Sequence, residues 1–143
     1  MRTLSYLSLL SLIAFISRKK DSKTDPSKYS IIGKWQHVKT NFTLSTKGSS
    51  TYEGTLIDYG VNDYILFNAD GTCTVSTSNQ INSFKYNLSD TTLSLTDGIK
   101  SENDTIIKLN SRELVIHAVE TDDNGGDTII NYYDSYYVLM FQL

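Results

Sequence analysis

Apolar and polar residues alternate along the chain from residue 33 onward, in short segments separated by turn-forming residues. Such alternation is typical of β-strands that bury one face and expose the other. No window of about a dozen residues in this region has the apolar spacing of an amphipathic helix. Four segments carry the pattern most clearly, and the residues that share their apolar faces are Cys73 with Val75, Phe84 with Tyr86, Leu93 with Leu95, and Leu114 with Ile116.

Turn signals divide this region into strands. Gly71 and Gly98 each follow an Asp, and an acidic, Gly-rich run predicts a wider loop at 122–127. The last segment is either one strand or two strands broken at Asp134-Ser135. The residues between the turns predict strands near 34–41, 61–67, 72–77, 83–88, 91–96, 104–109, 113–120 and 128–142.

Residues 42–60 are the part of this region whose role the pattern leaves open. They are rich in Ser, Thr and Gly, with only scattered apolar residues. This composition predicts a long loop with a short strand near 51–57. The loop is either a lid over one end of the sheet or a disordered insertion.

Strands that follow one another at short spacing favour an antiparallel meander. About eight strands is the number whose closure leaves a narrow interior, and closure removes the sheet edges that promote aggregation. The pattern therefore predicts an all-β fold, a small up-and-down antiparallel barrel at residues 31–143. Alternation alone does not decide whether side chains fill the interior or whether it holds a small ligand.

The N-terminal residues have a different composition from the barrel region. Residues 1–18 combine a basic start with an apolar run at 4–16 that contains interspersed Ser but no charge. The run is shorter than a bilayer span and matches a secretory signal peptide. Residues 19–30 are polar and contain Pro26, the only proline in the chain. They predict a flexible spacer.

The end of this leader resembles a bacterial lipoprotein signal, in which a small residue precedes an acylated cysteine. Ser17 is the small residue, but Arg18 stands where the cysteine is expected, so the chain as written is not lipidated there. Either a cysteine has been replaced, or the protein is secreted without an anchor, or an uncleaved signal tethers it. Contact with a membrane is expected only through this segment, and the expected location is the bacterial cell envelope.

Composition excludes several classes of function. The 143 residues are enough for one domain, and the net charge of −3 offers no basic patch for nucleic acid. Because Cys73 is the single cysteine, neither an intramolecular disulfide nor a cysteine-based metal site can form.

The first predicted strand opens with Gly33-Lys34-Trp35, which contains the only Trp. A Gly two residues before a Trp, followed by meandering strands, resembles the Gly-x-Trp start of lipocalins. The resemblance implies that Gly33 turns the chain into the barrel and that Trp35 plugs its closed end. Similarity to the lipocalin-like domain proteins of Bacteroidetes-type bacteria extends over nearly all of 31–143, most clearly at 64–73, 86–88, 93–95, 107–109 and 113–116.

Two features depart from lipocalins. No Lys or Arg follows Thr128, whereas lipocalins place a basic residue over the Trp on a late strand. Thr121-Asp122 is also not continued into the Thr-Asp-x-x-Tyr motif of that family. These departures favour the smaller, divergent bacterial relatives and leave the ligand unassigned.

Few residues could carry the chemistry of an active site. His37 is predicted on the face of Trp35, and His117 on the solvated face of its strand; a metal site needs more ligands that converge. Cys73 lies on an apolar face, which favours a core residue over a nucleophile. We therefore predict no catalytic residue, no metal site and no cofactor.

Residues 132–137 include four tyrosines. Alternation places Tyr137 and Leu139 on one face of the last strand and Tyr136 and Val138 on the other. Exposed tyrosines suit a binding surface. A strand that packs a small core and covers its outer face is the simpler interpretation and is preferred.

Together these observations predict a non-enzymatic extracytoplasmic binding module that holds a small apolar molecule in its barrel. The alternative is an envelope structural or interaction protein whose barrel is filled by its own side chains. The free volume of the interior would discriminate between the two. The predicted lining residues are Cys73, Val75, Phe84, Tyr86, Leu93, Leu95, Leu114 and Ile116.

Overall fold

The computed structural model describes residues 28–46, 51–57, 59–78, 80–124 and 127–143. Within these ranges it contains no helix long and apolar enough to cross a membrane. The described residues form nine strands, which are β1 (Gly33–Thr46), β2 (Tyr52–Leu56), β3 (Tyr64–Phe67), β4 (Thr72–Thr77), β5 (Gln80–Ser89), β6 (Thr92–Thr96), β7 (Ser101–Leu109), β8 (Glu113–Asn124) and β9 (Asp127–Phe141).

The strands form a closed antiparallel barrel. From β3 to β9 each strand pairs with the next, and both β3 and β9 pair with β1, so eight strands complete the ring. The extra strand, β2, shares one edge of β1 with β3: it pairs with 40–44, whereas β3 pairs with 33–36. The all-β, up-and-down barrel predicted from alternation is confirmed.

Closure depends on the long seam between β1 and β9. It runs from Lys34 opposite Phe141 to Thr46 opposite Ile129, with Trp35 opposite Leu139. The register shifts between His37 and Lys39, so one residue of β1 bulges there. Because a bulge moves the following residues to the opposite face, Thr40 points inward and is 5 % exposed.

The end of the barrel at which β1 begins is closed by apolar side chains. Trp35 is fully buried, and its Nε1 donates a hydrogen bond of 2.7 Å to the carbonyl oxygen of Ile31. That bond satisfies the indole N–H, which would otherwise be buried without a partner. Tyr29 also packs against this core. The folded domain therefore includes the last residues of the predicted spacer, while 1–18 and 19–27 lie outside the described residues.

Several predicted boundaries are wrong. The loop predicted at 122–127 is largely strand, because β8 runs to Asn124 and β9 starts at Asp127. Of the two possibilities for the last segment, the structure has the single strand: Asp134-Ser135 does not break β9, since β8 and β1 pair with it on both edges there. The start of the predicted loop at 42–60 belongs to β1, which runs to Thr46, whereas the short strand predicted near 51–57 is confirmed as β2; residues 47–50 and 58 lie outside the description.

Gly33 occupies a position that a larger residue cannot take without strain. Its φ is +140°, and an added Cβ would lie 2.7 Å from the carbonyl oxygen of Phe141, which is backbone on the opposite side of the seam. Gly98 has a φ of +94° but nothing within 4 Å of an added Cβ. Substituting the two glycines in turn therefore distinguishes the cost of backbone strain alone from the cost of strain combined with a clash at the seam.

We predict that Gly33→Ala lowers the free energy of unfolding by roughly 2–4 kcal/mol, because it combines strain with displacement of β9. Gly98→Ala, which adds only strain, should cost about 1 kcal/mol. Urea denaturation followed by Trp35 fluorescence measures both. Equal losses would contradict the tight approach of β9 to Gly33.

Candidate functional site

The inner face of the barrel is arranged in two layers. Trp35, Cys73, Leu93 and Ile106 are 0–1 % exposed and belong to the closed layer. Adjacent strands run in opposite directions. Moving from the closed layer to the next inward-facing residue, away from the closed end, therefore adds two to the residue number on β1, β4 and β6 and subtracts two on β5 and β7. On these five strands that step reaches His37, Val75, Phe84, Leu95 and Asp104, and on β3, β8 and β9 the equivalent step reaches Ile65, Ile116 and Tyr137. Together these residues form a second inner layer.

Ile65, Ile116 and Tyr137 of this second layer are buried, whereas the other five side chains retain partial exposure. Three of them, Val75, Phe84 and Leu95, are apolar and pack against the buried core. Solvent therefore reaches inward-facing apolar surface above a closed floor. We call the half of the barrel above the floor the open half.

The eight residues predicted to line the interior lie in one apolar cluster. Tyr86 belongs to the closed layer rather than the open half, since its hydroxyl donates a hydrogen bond of 2.8 Å to the carbonyl oxygen of Asn68 and its ring packs edge-on against Phe67. Four of the eight are buried, namely Cys73, Leu93, Leu114 and Ile116, and four are partly exposed, namely Val75, Phe84, Tyr86 and Leu95.

A polar network occupies the opposite wall of the open half. The His37 ring stacks against Tyr59 and Tyr137, with ring centroids 3.6 Å and 4.6 Å away. His37 Nε2 lies 2.9 Å from Thr40 Oγ1, which is 3.1 Å from Ser135 Oγ. Tyr59 donates a hydrogen bond of 2.9 Å to the same Thr40 oxygen. The network ties β1, β9 and the segment before β3 together.

The charge state of this network follows from its burial. Desolvation lowers the pKa of His37 to about 4, against smaller opposing effects from the Lys39 backbone and the Asp63 carboxylate. Burial raises the pKa of Tyr137 far above its usual range, although a hydrogen bond with Ser135 opposes the shift. At neutral pH both rings are therefore uncharged.

The network is not equipped for nucleophilic catalysis. A hydroxyl offers one proton and two lone pairs, and the three partners of Thr40 use all of them. A base with a pKa of about 4, as His37 has, is a weak acceptor for a hydroxyl proton at neutral pH. The arrangement fixes structure and places three stacked rings on this wall.

His117 lies on the outer face, as predicted. Its Nδ1 is 2.6 Å from Asp134 Oδ1, and both side chains are about one-third exposed. The pair bridges β8 and β9 at positions that face each other in the register. It is separated from His37 by the barrel wall, so the two histidines do not converge on one site.

Asp104 is the exception in the apolar part of the second layer. It lies opposite Leu93 on β6 and two residues from Ile106, both of which are buried in the core. Desolvation, followed by the negative charges of Glu102 and Glu120, raises the pKa of Asp104 to about 6; His117 opposes the shift. At neutral pH the carboxylate is charged although its surroundings disfavour the charge.

No cation compensates Asp104 within the described residues. Lys34 and Lys39 lie over the outward-facing rings of Tyr64 and Tyr136, and Lys108 pairs with Glu113 on the surface at 2.8 Å. The other described basic residues, Lys28, Lys85, Lys100 and Arg112, are exposed. The apolar part of the second layer therefore carries the negative charge of Asp104 and no positive one, while the buried Asp63 carboxylate near His37 accepts hydrogen bonds from Gly60 N and Ser78 Oγ.

The described interior is poorly suited to metal binding and to thiol chemistry. Within the described ranges, no three His, Cys, Asp or Glu side chains are grouped so as to hold a metal ion. Burial raises the pKa of the Cys73 thiol to about 11, so this side chain stays protonated and packs as an apolar residue.

A groove of about 360 Å³ opens beside the second layer, between β5 and the turn after β6. Phe84 contributes to its lining together with Lys85 and Gly98. Phe84 therefore borders both the barrel interior and this groove.

Sequence reasoning missed most of the polar wall. Asp104 was detectable, because it shares the alternating face of Ile106. Thr40 was not, since only the bulge after His37 turns it inward. Tyr59 and Ser135 had no signal that distinguished them from other hydroxyl-bearing residues of the chain.

We predict that Asp104→Asn raises the free energy of unfolding at pH 7 by about 1–2 kcal/mol, after allowance for partial exposure. The native carboxyl ionises near pH 6 and the unfolded one near 3.8. The charge on Asp104 thus lowers the free energy of unfolding by its full amount above pH 6 and not at all below pH 3.8. The stabilisation by Asp104→Asn should therefore vanish at pH 3.5.

Glu53→Gln removes the same charge from the exposed strand β2 and should change stability by less than about 0.5 kcal/mol. Urea denaturation of the three proteins at both pH values measures these differences. A destabilised Asp104→Asn variant at pH 7 would contradict the placement of this carboxylate.

Comparison with protein-family models, with curated proteins and with solved structures found no match to this chain. The resemblance to lipocalin-like domain proteins therefore stays a prediction. The function has to be argued from the barrel interior itself.

Proposed function

We propose that this protein is a non-enzymatic binding module that holds a small, largely apolar molecule in the open half of its barrel. The observation that carries this proposal is the contrast between the two inner layers. Trp35, Cys73, Leu93 and Ile106 of the closed layer are 0–1 % exposed, whereas Val75, Phe84 and Leu95 stay partly exposed one step further along. An apolar molecule seated on this floor would cover the surface that the barrel leaves open.

The energetics of such binding are those of apolar burial. Removing apolar surface from water contributes about 25 cal/mol per Å², so a ligand that buries roughly 200 Å² gains about 5 kcal/mol before the costs of association. The barrel wall is held by paired strands all round, so little ordering accompanies binding. This combination fits a carrier of moderate affinity.

A non-enzymatic role is supported by the state of the titratable groups. Thr40 has its hydrogen-bonding capacity filled, and His37 is a weak base. Asp104 stands alone on its wall, without a nucleophile or a second carboxylate in hydrogen-bond contact in the described structure. No set of groups is arranged for acid–base or covalent chemistry.

The proposed setting is the bacterial cell envelope, outside the cytoplasm. The support is sequence only: the signal-like residues 1–18 and the polar spacer at 19–30. The Gly33-Lys34-Trp35 start and the meander suggest a lipocalin-like domain protein. A lipid anchor is not part of the proposal, because Arg18 replaces the expected cysteine.

The second candidate is an envelope structural protein with a filled barrel. It is favoured by the complete burial of the closed layer, in which Trp35, Phe67, Leu93 and Leu114 are each 0 % exposed. The two candidates differ only in the open half. Occupancy of that half by a molecule from the host decides between them, and native mass spectrometry of the protein purified from its own source detects such a molecule.

We predict that Val75→Phe, which adds volume inside the open half, weakens binding of an uncharged apolar dye such as Nile red at least about tenfold. Thr74 precedes Val75 on β4 and faces outward, so Thr74→Phe is the matched control and should bind within about twofold of the parent protein. Fluorescence titration gives the three dissociation constants. Absence of dye binding to the parent, or equal binding by both variants, would contradict a ligand site in this half.

A further inference from the structure

We infer that the molecule held in the open half carries a positively charged amine, which pairs with Asp104. The inference rests on the proposed function and specifies its ligand class: an apolar body on the wall of Val75, Phe84 and Leu95, and an ammonium group on the carboxylate. Fatty acids and other apolar carboxylates are then poor ligands.

The position of Asp104 supports an ionic contact inside the barrel. The neighbours on its own face are Ile106, buried below it, and Glu102, exposed above it, while Leu93 faces it from β6. The carboxylate therefore lies where the apolar floor gives way to solvent. A ligand whose apolar part rests on the floor would bring a terminal charged group to this level.

The carboxylate has no ion-pair partner within the described residues. Its charge is partly desolvated, and a desolvated charge without a counter-ion is costly. An ammonium group would supply both the opposite charge and up to three hydrogen-bond donors. A carboxylate ligand would instead add a second negative charge beside the first.

The polar wall opposite the apolar residues also disfavours anions. His37 is uncharged at neutral pH and so contributes no positive charge. The faces of Tyr59 and Tyr137 that stack on it are covered by the imidazole, so this wall offers an anion no positive charge. Glu102 and Glu120, which follow on the same inner faces toward the open end, make the entrance negative.

The preference for amines should depend on pH. The groups that act on Asp104 are Glu102 on its own strand, Glu120 and His117 on β8, and Tyr137 on β9. With a pKa near 6, Asp104 is charged at pH 8 and largely protonated at pH 5. An aliphatic amine stays protonated at both values, so a loss of preference at pH 5 reports on the protein.

Displacement of Nile red from the full chain tests this inference with three competitors of equal chain length. Dodecylamine, dodecanol and dodecanoate are compared at pH 8, each below the concentration at which it aggregates. The amine should displace the dye at a concentration at least about tenfold lower than the carboxylate, with the alcohol between them. At pH 5 the advantage of the amine over the alcohol should shrink.

Asp104→Asn should abolish the advantage of dodecylamine over dodecanol, while Glu53→Gln, which removes a charge outside the barrel, should preserve it. Dye binding without a preference for the amine, or a preference that survives in Asp104→Asn, overturns the inference and leaves the proposed function standing. A parent protein that binds no dye overturns both. The pH comparison needs no variant, so it decides the matter even if Asp104→Asn misfolds.

Discussion

The structure depends on the pairing of its last strand with its first. Without the hydrogen bonds between β1 and β9 the chain would form an open sheet with Trp35 at one edge. With them, the indole is enclosed and its N–H is satisfied by Ile31. The close approach of Phe141 to Gly33 shows why the chain needs a residue without a side chain where the seam begins. Closure of the barrel therefore also buries the single Trp.

In the closed barrel, the inward-facing residues lie at successive levels, which correspond to the closed layer and the second layer. At the level of Trp35, the side chains of Cys73, Leu93 and Ile106 are buried in the apolar core. One level further, a His and an Asp replace two of the apolar positions, and the side chains of β1 and β4 to β7 are partly exposed while those of β3, β8 and β9 stay buried. Asp104 lowers the stability of the barrel, because its desolvated charge costs free energy. This cost is the strongest indication that the open half has a role other than stabilising the fold.

How much was predictable from the sequence differs between the fold and the site. Alternation in β4, β5, β6 and β8 identified the inner faces, because a strand with one buried face repeats every two residues. The lengths of β8 and β9 were not predictable, since cross-strand pairing on both edges of β9 overrides local turn signals at 122–127 and Asp134. The polar wall was hidden for another reason: it is assembled by a bulge in β1 and by the distant Tyr59, and neither leaves a periodic signal.

The central claim, closure of the barrel by β1 and β9, is tested most directly by nuclear Overhauser effects in the isotope-labelled protein. The register predicts contacts between backbone protons of Gln36 and Val138 and between those of Asn41 and Asp134. The pairing of His117 with Asp134 across β8 and β9 serves as the internal reference. Contacts at all three pairs support closure. The reference contact without either contact to β1 would contradict it, because the last strand would then form the free edge of an open sheet.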